Sequence, residues 1–200
     1  MPPSSRHAGR SALRLVATLL GALLTATLLT SAPTAAQAAP VEDYASYQPA
    51  TRCSPKPKPG AVALGRWMVD TFGGSYGAVG RQCSSSTSEH EEGRAFDWTL
   101  DATREADRAR AARFLERVLA TDRRDNTDAL ARRMGIMYII WNDRMWASYD
   151  DQFDPDAYLS SSCSSTKHCS KTLRHRDHLH VSLTRAGGRG ATSWYDGRLD

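Results

Sequence analysis

The stretch that decides both the fold and the chemistry is residues 88–100, SEHEEGRAFDWTL. Its second half alternates small or polar side chains with large apolar ones, which is the period-two pattern of a half-buried β-strand. On such a strand the carboxylate of Asp97 points away from the apolar face. His90 precedes the strand in a loop, and Gly93 relieves the turn between the two residues. The imidazole and the carboxylate can therefore converge on one metal ion, and both are ligand types that zinc accepts.

A histidine and an aspartate at this spacing would, taken alone, more often be a surface pair. Residues 175–180, HRDHLH, add three imidazoles and a carboxylate at the start of another predicted strand. Alternation along that strand places His178 and His180 on one face, while the intervening apolar residues turn to the core. A catalytic zinc has three protein ligands and one position for water, so His90, Asp97 and one of these histidines would complete such a site. The alternative for residues 175–180 is a solvated basic cluster at a strand end.

The rest of the chain mixes helical and strand patterns. We predict helices over residues 61–72, 102–120 and 128–134, and strands over residues 95–100, 136–141, 145–149 and 178–183. Asp101 or Thr103 is the expected N-cap of the second helix. Residues 73–93 are rich in Gly and Ser and are predicted to be loop. Because helices and hairpin-like strands do not alternate regularly, the predicted class is α+β, a single domain with an antiparallel β-sheet flanked by helices.

The first 38 residues have the pattern of a signal peptide. Three arginines precede an apolar run at residues 15–29, and Ala-Gln-Ala at residues 36–38 is a small-residue cleavage site. We expect cleavage after Ala38, and hence a secreted protein without a stable membrane anchor. The alternative is a retained anchor, because the apolar run is near the lower length limit for spanning a bilayer.

Charge and length limit what the remaining chain can be. The whole chain has 26 basic and 22 acidic residues, and loss of the three N-terminal arginines leaves it close to neutral. No basic tract is interleaved with aromatic residues, so we expect no nucleic-acid partner. Residues 39–60 are predicted to be a Pro-rich leader and residues 61–200 one domain, which we expect to be a monomer.

All four cysteines lie after the predicted signal peptide. In an oxidising compartment they favour disulfides, and three pairings are possible. We favour Cys53 with Cys83 and Cys163 with Cys169, the second pair closing a short Ser-rich loop. A structural zinc site made by these cysteines is the alternative, but the chain has no Cys-x-x-Cys.

Together the two motifs resemble the M15-type zinc D,D-carboxypeptidases and dipeptidases of bacterial cell-wall metabolism. That family shares its core with the lysostaphin-type endopeptidases and the hedgehog signalling domain. Its pattern Ser-x-His-x-x-Gly-x-Ala-x-Asp is matched here by Ser88, His90, Gly93, Ala95 and Asp97. Its second element, an acid three residues before the last zinc ligand, is matched by Asp177 and His180. Residues 139–146, IIWNDRMW, are similar to a segment of secreted actinobacterial relatives, and the resemblance covers residues 61–183.

The resemblance implies one zinc ion per chain, held by His90, Asp97 and His180. It implies that Asp177 is the general base that accepts a proton from the attacking water and hands it to the leaving amine. Both roles agree with general zinc chemistry. In the related endopeptidases the first histidine of a His-x-His pair stabilises the tetrahedral intermediate, which suggests that role for His178. The alternative for His178 is to orient Asp177 or the metal.

The family also uses an arginine upstream of the first motif to bind the substrate carboxylate. Arg81 lies in about that place, with Arg66 or Arg94 as alternatives, and a guanidinium suits the task because it binds carboxylates bidentately. Ser88 is expected to donate a hydrogen bond to the substrate, or else to cap its own loop.

These expectations add up to a secreted zinc peptidase that hydrolyses peptide bonds in peptidoglycan stem peptides. The D,D- and L,D-carboxypeptidase and endopeptidase types all remain open. One alternative is a catalytically silent zinc-containing module on the same scaffold that binds peptidoglycan or a protein. The presence of Asp177 argues against it. A metal-dependent nuclease of the His-rich kind is a third, weaker hypothesis.

Overall fold

A six-stranded antiparallel sheet organises the described part of this computed structural model, residues 40–84 and 88–199. The strands are β1 (Ser75–Val79), β2 (Ala95–Thr99), β3 (Ile136–Trp141), β4 (Arg144–Ala147), β5 (Pro155–Ala157) and β6 (His178–Leu183). Their order in the sheet is β1-β2-β6-β3-β4-β5. The strands that carry the two motifs, β2 and β6, are therefore neighbours inside the sheet. The predicted signal peptide lies outside the described residues.

In the described ranges, four helices accompany the sheet: α1 (Pro59–Phe72), α2 (Glu105–Val118), α3 (Ala129–Met134) and α4 (Arg185–Arg189). Pro59 begins α1, where a missing N–H costs nothing and the fixed φ suits a helix. Gly135 ends α3 in the left-handed conformation, at φ 66°, and its N–H caps the helix. With the antiparallel sheet, these helices make a single α+β domain, and the predicted class is confirmed.

The core lies between the sheet and helices α1 and α2. Apolar side chains from all three meet in one buried cluster that includes Leu64, Met68, Phe96, Trp98, Phe114 and Val181. Trp98 is fully buried, and its indole N–H donates to the carbonyl of Gly73 at 3.0 Å. The apolar sides of β2 and β6 are thus committed to the core, which leaves Asp97 and His180 on the opposite face.

The predicted loop over residues 73–93 is wrong in two places, because it contains β1 and a 3-10 turn at Glu89–Glu92. β1 is an edge strand with mostly exposed side chains, so it lacks an apolar alternation. The second helix begins at Glu105, later than predicted, and its N-cap is Arg104. Asp101 instead accepts a hydrogen bond from the N–H of Thr103 at 2.9 Å, in the turn before the helix. β5 and α4 were not predicted.

The Pro-rich leader contains no helix or strand between residue 40 and the start of α1. It runs along the 3-10 turn, where the N–H of Ser54 donates to the carbonyl of Glu91 at 2.6 Å and that of Lys58 to Gly93 at 2.8 Å. Both favoured disulfides are confirmed: Cys53–Cys83 and Cys163–Cys169. Within the described ranges, none of the helices has the length and apolar character needed to cross a membrane.

Candidate metal centre

The register of β2 and β6 brings two of the expected ligands together. Asp97 is directly paired with His180, and Trp98 with Leu179. Directly opposed residues of an antiparallel pair point to the same face, so Asp97 and His180 share one face while Trp98 and Leu179 share the core face. His178, two residues earlier on β6, lies on the side of His180, as strand alternation predicts.

His90 is aimed at this face by the 3-10 turn. The hydroxyl of Ser88 caps the turn by accepting from the N–H of His90 at 3.3 Å. Gly93 ends the turn at φ 67°, and a Cβ there would collide with the carbonyl oxygen of Lys56. The chain can therefore return into β2 at this point only with glycine, which explains why a glycine stands between His90 and Asp97.

Three potential ligand atoms converge as a result, and we call His90, Asp97 and His180 the His–Asp–His trio. Oδ1 of Asp97 lies 3.0 Å from Nε2 of His90 and 2.9 Å from Nδ1 of His180. The two ring nitrogens lie 3.2 Å apart. Zinc bonds of about 2.0–2.2 Å at tetrahedral angles separate ligand atoms by roughly 3.3–3.6 Å, so the trio fits zinc after a small outward movement.

The electrostatics of the trio suit a cation. Burial alone would raise the pKa of Asp97, but the hydrogen bonds and charges of His180 and His90 outweigh burial and hold it far below its usual value. Burial is the main cause that lowers the pKa of His180. Asp97 is thus a carboxylate and His180 a neutral imidazole near neutral pH, which are the protonation states that bind metal ions.

The imidazoles of His90 and His180 differ in the contacts that orient them. Nε2 of His180 lies 2.8 Å from the hydroxyl of Ser182, so a proton on Nε2 leaves Nδ1 free for a metal. The ring of Tyr138 stacks on His180 with a centroid distance of 5.5 Å. Nδ1 of His90 is buried and has no hydrogen-bond partner among the described residues. His180 is therefore the more firmly oriented of the two.

Asp177 and His178 form a second unit beside the trio. Oδ1 of Asp177 lies 2.7 Å from Nδ1 of His178, and the hydroxyl of Thr172 donates to Oδ2 at 2.6 Å. Burial alone would raise the pKa of Asp177, but these two hydrogen bonds lower it overall. An ionised carboxylate only accepts, so Nδ1 of His178 carries the proton. Nε2 of His178 lies 3.7 Å from Oδ1 of Asp97, which places the imidazole between Asp177 and the trio.

An open groove leads away from this unit. It has a volume of about 500 Å³, and its lining includes Asp177, Ser75 at the start of β1, Arg104 at the N-cap of α2 and Arg110 within α2. We call it the Asp177 groove. Arg110 is paired with Asp107 at 2.6 Å, whereas Arg104 is largely exposed and lies 3.8 Å from the same carboxylate. Arg104 is the freer cation in the groove.

The residues expected to bind substrate lie in different environments in the structure. Arg81 is exposed, and its backbone N–H donates to the carbonyl of His90 at 3.0 Å, so its backbone lies beside the turn that carries His90. Arg66 is exposed on α1. Arg94 is only 2% exposed, and its guanidinium donates to Glu92 and to the carbonyls of Leu183 and Gln48. Arg94 is thus a structural residue, and Ser88 caps its own turn.

Sequence reasoning missed the acidic residues that support His90. Glu89, Glu91 and Glu92 are all nearly buried, although three carboxylates in four residues usually indicate a solvated segment. The phenol of Tyr138 donates to Glu89 at 2.7 Å, and burial together with that carboxylate raises the pKa of Tyr138 well above its usual value. The burial of these acids could not be predicted, because hydrogen-bond partners such as Tyr138 are distant in sequence.

His175 was also missed as part of the site. Its ring centroid lies 4.7 Å from that of His178 and 5.5 Å from that of His180. Burial is the main cause that lowers the pKa of His175 to about 3, so the ring is neutral. It adopts φ 48°, a left-handed conformation that is uncommon outside glycine. Strand alternation could not predict the orientation of His175, because the residue lies in the turn before β6.

Comparison with known proteins identifies a family whose model matches this chain. The model of the family described as VldE, C-terminal domain, matches residues 53–169, more than half of the chain. The match runs from Cys53 to Cys169, so it includes His90 and Asp97 and ends before Asp177 and His180. No curated protein and no solved structure matches the chain. The chain belongs to the VldE C-terminal domain family.

Proposed function

We propose that this protein is a secreted zinc-dependent peptidase that hydrolyses peptide bonds in peptidoglycan stem peptides. The observation that carries the proposal is the convergence of the His–Asp–His trio, with ligand atoms 2.9–3.2 Å apart, beside the Asp177–His178 unit. His90, Asp97 and His180 would hold the metal. A zinc ion there would supply Lewis-acid polarisation of the scissile carbonyl and would make a water molecule more acidic.

Asp177 is the proton acceptor in this proposal. The hydrogen bonds from Thr172 and His178 keep its carboxylate ionised, and the Asp177 groove gives water and substrate access to it. A carboxylate that takes a proton from water during attack can return it to the leaving amine, so one residue serves both steps. His178 orients the carboxylate through Nδ1. Its Nε2 end faces Asp97 and is a candidate to contact the tetrahedral intermediate.

The substrate class rests on the resemblance to the M15-type cell-wall peptidases, whose complete His-to-Asp pattern and preceding acid are present here. The open Asp177 groove is compatible with a short peptide, and its exposed Arg104 adds a second candidate for the substrate carboxylate beside Arg81. Secretion is supported by the two disulfides, which persist in oxidising compartments. Terminal trimming and cross-link cleavage are both compatible with this proposal.

The test is hydrolysis of purified sacculi and synthetic stem peptides by zinc-loaded protein, followed by chromatography of the products. Asp177→Asn should lower kcat by about 10²–10⁴-fold and leave zinc content unchanged. Asp70→Asn, at an exposed position on α1, is the matched control and should retain full activity. If wild-type protein binds zinc and peptidoglycan but releases no product from any stem peptide, the silent binding module replaces the peptidase.

A further inference from the structure

A strongly basic cavity lies away from the His–Asp–His trio. It has a volume of about 310 Å³, and none of the trio lines it. Its charged lining consists of one acid, Glu92, and five cations: Arg52, Lys58, Arg94, Arg185 and Arg189. We call it the basic cavity. Its size is at the lower end of the range for small-molecule sites.

The walls of the basic cavity are fixed by contacts that do not depend on a ligand. The leader forms one wall and is held by the hydrogen bonds of Ser54 and Lys58 to the 3-10 turn and by the disulfide of Cys53. Arg185 of α4 forms another, because its guanidinium donates to the carbonyl of Pro49 at 2.8 Å. The cavity is therefore a preformed feature of the fold.

The charges in the basic cavity do not balance. Glu92 pairs with Arg94 at 2.6 Å and lies 3.7 Å from Arg185. Within the described residues, the side chains of Arg52 and Arg189 have neither an ion pair nor a hydrogen bond, and the ammonium of Lys58 contacts only the hydroxyl of Ser54, at 3.1 Å. Three cations thus gather around one cavity without a carboxylate partner. Such an arrangement is repulsive by itself and favours an anion in the space between them.

We infer that the basic cavity is an anion site for a phosphate group, separate from the metal centre and independent of the proposed peptidase function. Guanidinium groups bind phosphate oxygens bidentately, and an ammonium adds a point charge, so two arginines and a lysine suit a negatively charged phosphate group. The group belongs either to a small monoester or to the phosphodiester backbone of a polymer. Both offer negatively charged non-bridging oxygens to Arg52, Lys58 and Arg189, three in a monoester and two in a diester.

The experiment is an NMR chemical-shift titration of the folded protein with inorganic phosphate, with phenyl phosphate as a monoester and with dimethyl phosphate as a diester. Arg52→Ala and Arg189→Ala, on different segments, should each raise the dissociation constant for phosphate about tenfold, the loss expected for one charge-assisted contact. Arg113→Ala, which removes an exposed arginine on α2, should leave it unchanged. Because phosphate also binds metal ions, the titrations are repeated in His180→Ala, where binding should persist.

The two esters identify the source of the group. Tighter binding of phenyl phosphate than of dimethyl phosphate indicates a monoester ligand, and equal binding indicates a phosphodiester. The inference is overturned if the chemical shifts do not saturate with any of the probes by about 10 mM, because such a dissociation constant is too weak for a built site. It is also overturned if Arg52→Ala and Arg189→Ala both bind as the wild type does, or if binding disappears in His180→Ala.

Discussion

Oδ1 of Asp97 and Nδ1 of His180 lie 2.9 Å apart because the two residues are direct partners in the antiparallel register of β2 and β6. A shift of one residue in that register would turn one of the two side chains into the core. The sheet therefore positions two residues of the candidate metal centre, and the capped 3-10 turn positions the third, His90.

Thr172 should influence the ionisation of Asp177, the proposed general base. Its hydroxyl donates to Asp177 and helps to lower the pKa of that carboxyl group, so Thr172→Val should raise the pKa. Because the base must be ionised, the acidic limb of the kcat/KM profile should move to higher pH while zinc content stays constant. Thr121→Val, at an exposed loop position, is the control and should not move the limb. An unchanged profile for Thr172→Val would show that Asp177 does not limit the rate.

Tyr138→Phe should destabilise the support of the 3-10 turn. The phenol donates to the nearly buried Glu89 carboxylate at 2.7 Å, and its loss leaves a buried charge with one donor fewer. We expect a loss of about 1–3 kcal/mol in the free energy of unfolding, measured by urea denaturation. Tyr47→Phe is the matched control, since Tyr47 is 52% exposed, and it should change stability little. Equal stabilities of the two variants would contradict this role of Tyr138.

Glu92 should make stability depend on pH. Burial alone would raise the pKa of Glu92, but hydrogen bonds from Thr51 and Arg94 and nearby arginine charges lower it overall. A lowered folded-state pKa gives stability that is present above the unfolded value and is lost as pH falls through the folded value. Glu92→Gln should therefore cost about 3 kcal/mol at pH 7 and progressively less below about pH 4.5.

Denaturation of Glu92→Gln and of wild-type protein over a pH series measures this difference. Glu116→Gln, on the exposed face of α2, is the control and should follow the wild-type curve at every pH. A Glu92→Gln deficit that stays constant down to pH 3 would mean that the carboxylate charge contributes nothing to the fold.

The two disulfides should contribute unequally. Cys53–Cys83 closes a separation of 30 residues, and Cys163–Cys169 closes one of 6. Chain-entropy arguments give about 4 kcal/mol for the first and about 2 kcal/mol for the second. Thermal unfolding of the two double Cys→Ser variants measures both, and a larger loss from the short loop would reverse the prediction. The long loop also ties the leader to the segment before His90.

The sequence predicts β2 and β6 well because their alternating apolar residues enter one core. The end of α3 is equally predictable, since Gly135 is a strong C-terminal signal. β1 could not be predicted, because an exposed edge strand needs no apolar alternation and its partner on β2 supplies the pairing. In this chain, the elements that sequence predicts well are those that bury apolar side chains in the continuous core.

From the residues alone, His90, Asp97 and one histidine of residues 175–180 were expected to bind a metal, and the family resemblance selected His180. The structure brings these three residues together. Its surroundings were not predictable, because the groups that decide them come from distant segments. In the sequence Arg94 is a candidate to bind the substrate carboxylate, yet its guanidinium donates hydrogen bonds to Glu92, Leu183 and Gln48. Tyr138 lies in an apolar strand with no nearby partner in sequence for its phenol, yet it contacts both Glu89 and His180.

Zinc stoichiometry tests the central claim most directly. Elemental analysis of purified wild-type protein should find about one zinc per chain, and His90→Ala and His180→Ala should each lose it while remaining folded by circular dichroism. His168→Ala, an exposed histidine in the Cys163–Cys169 loop, is the matched control and should keep its zinc. A folded wild type that contains no zinc and takes up none on addition, or zinc that persists in both trio variants, would contradict the account.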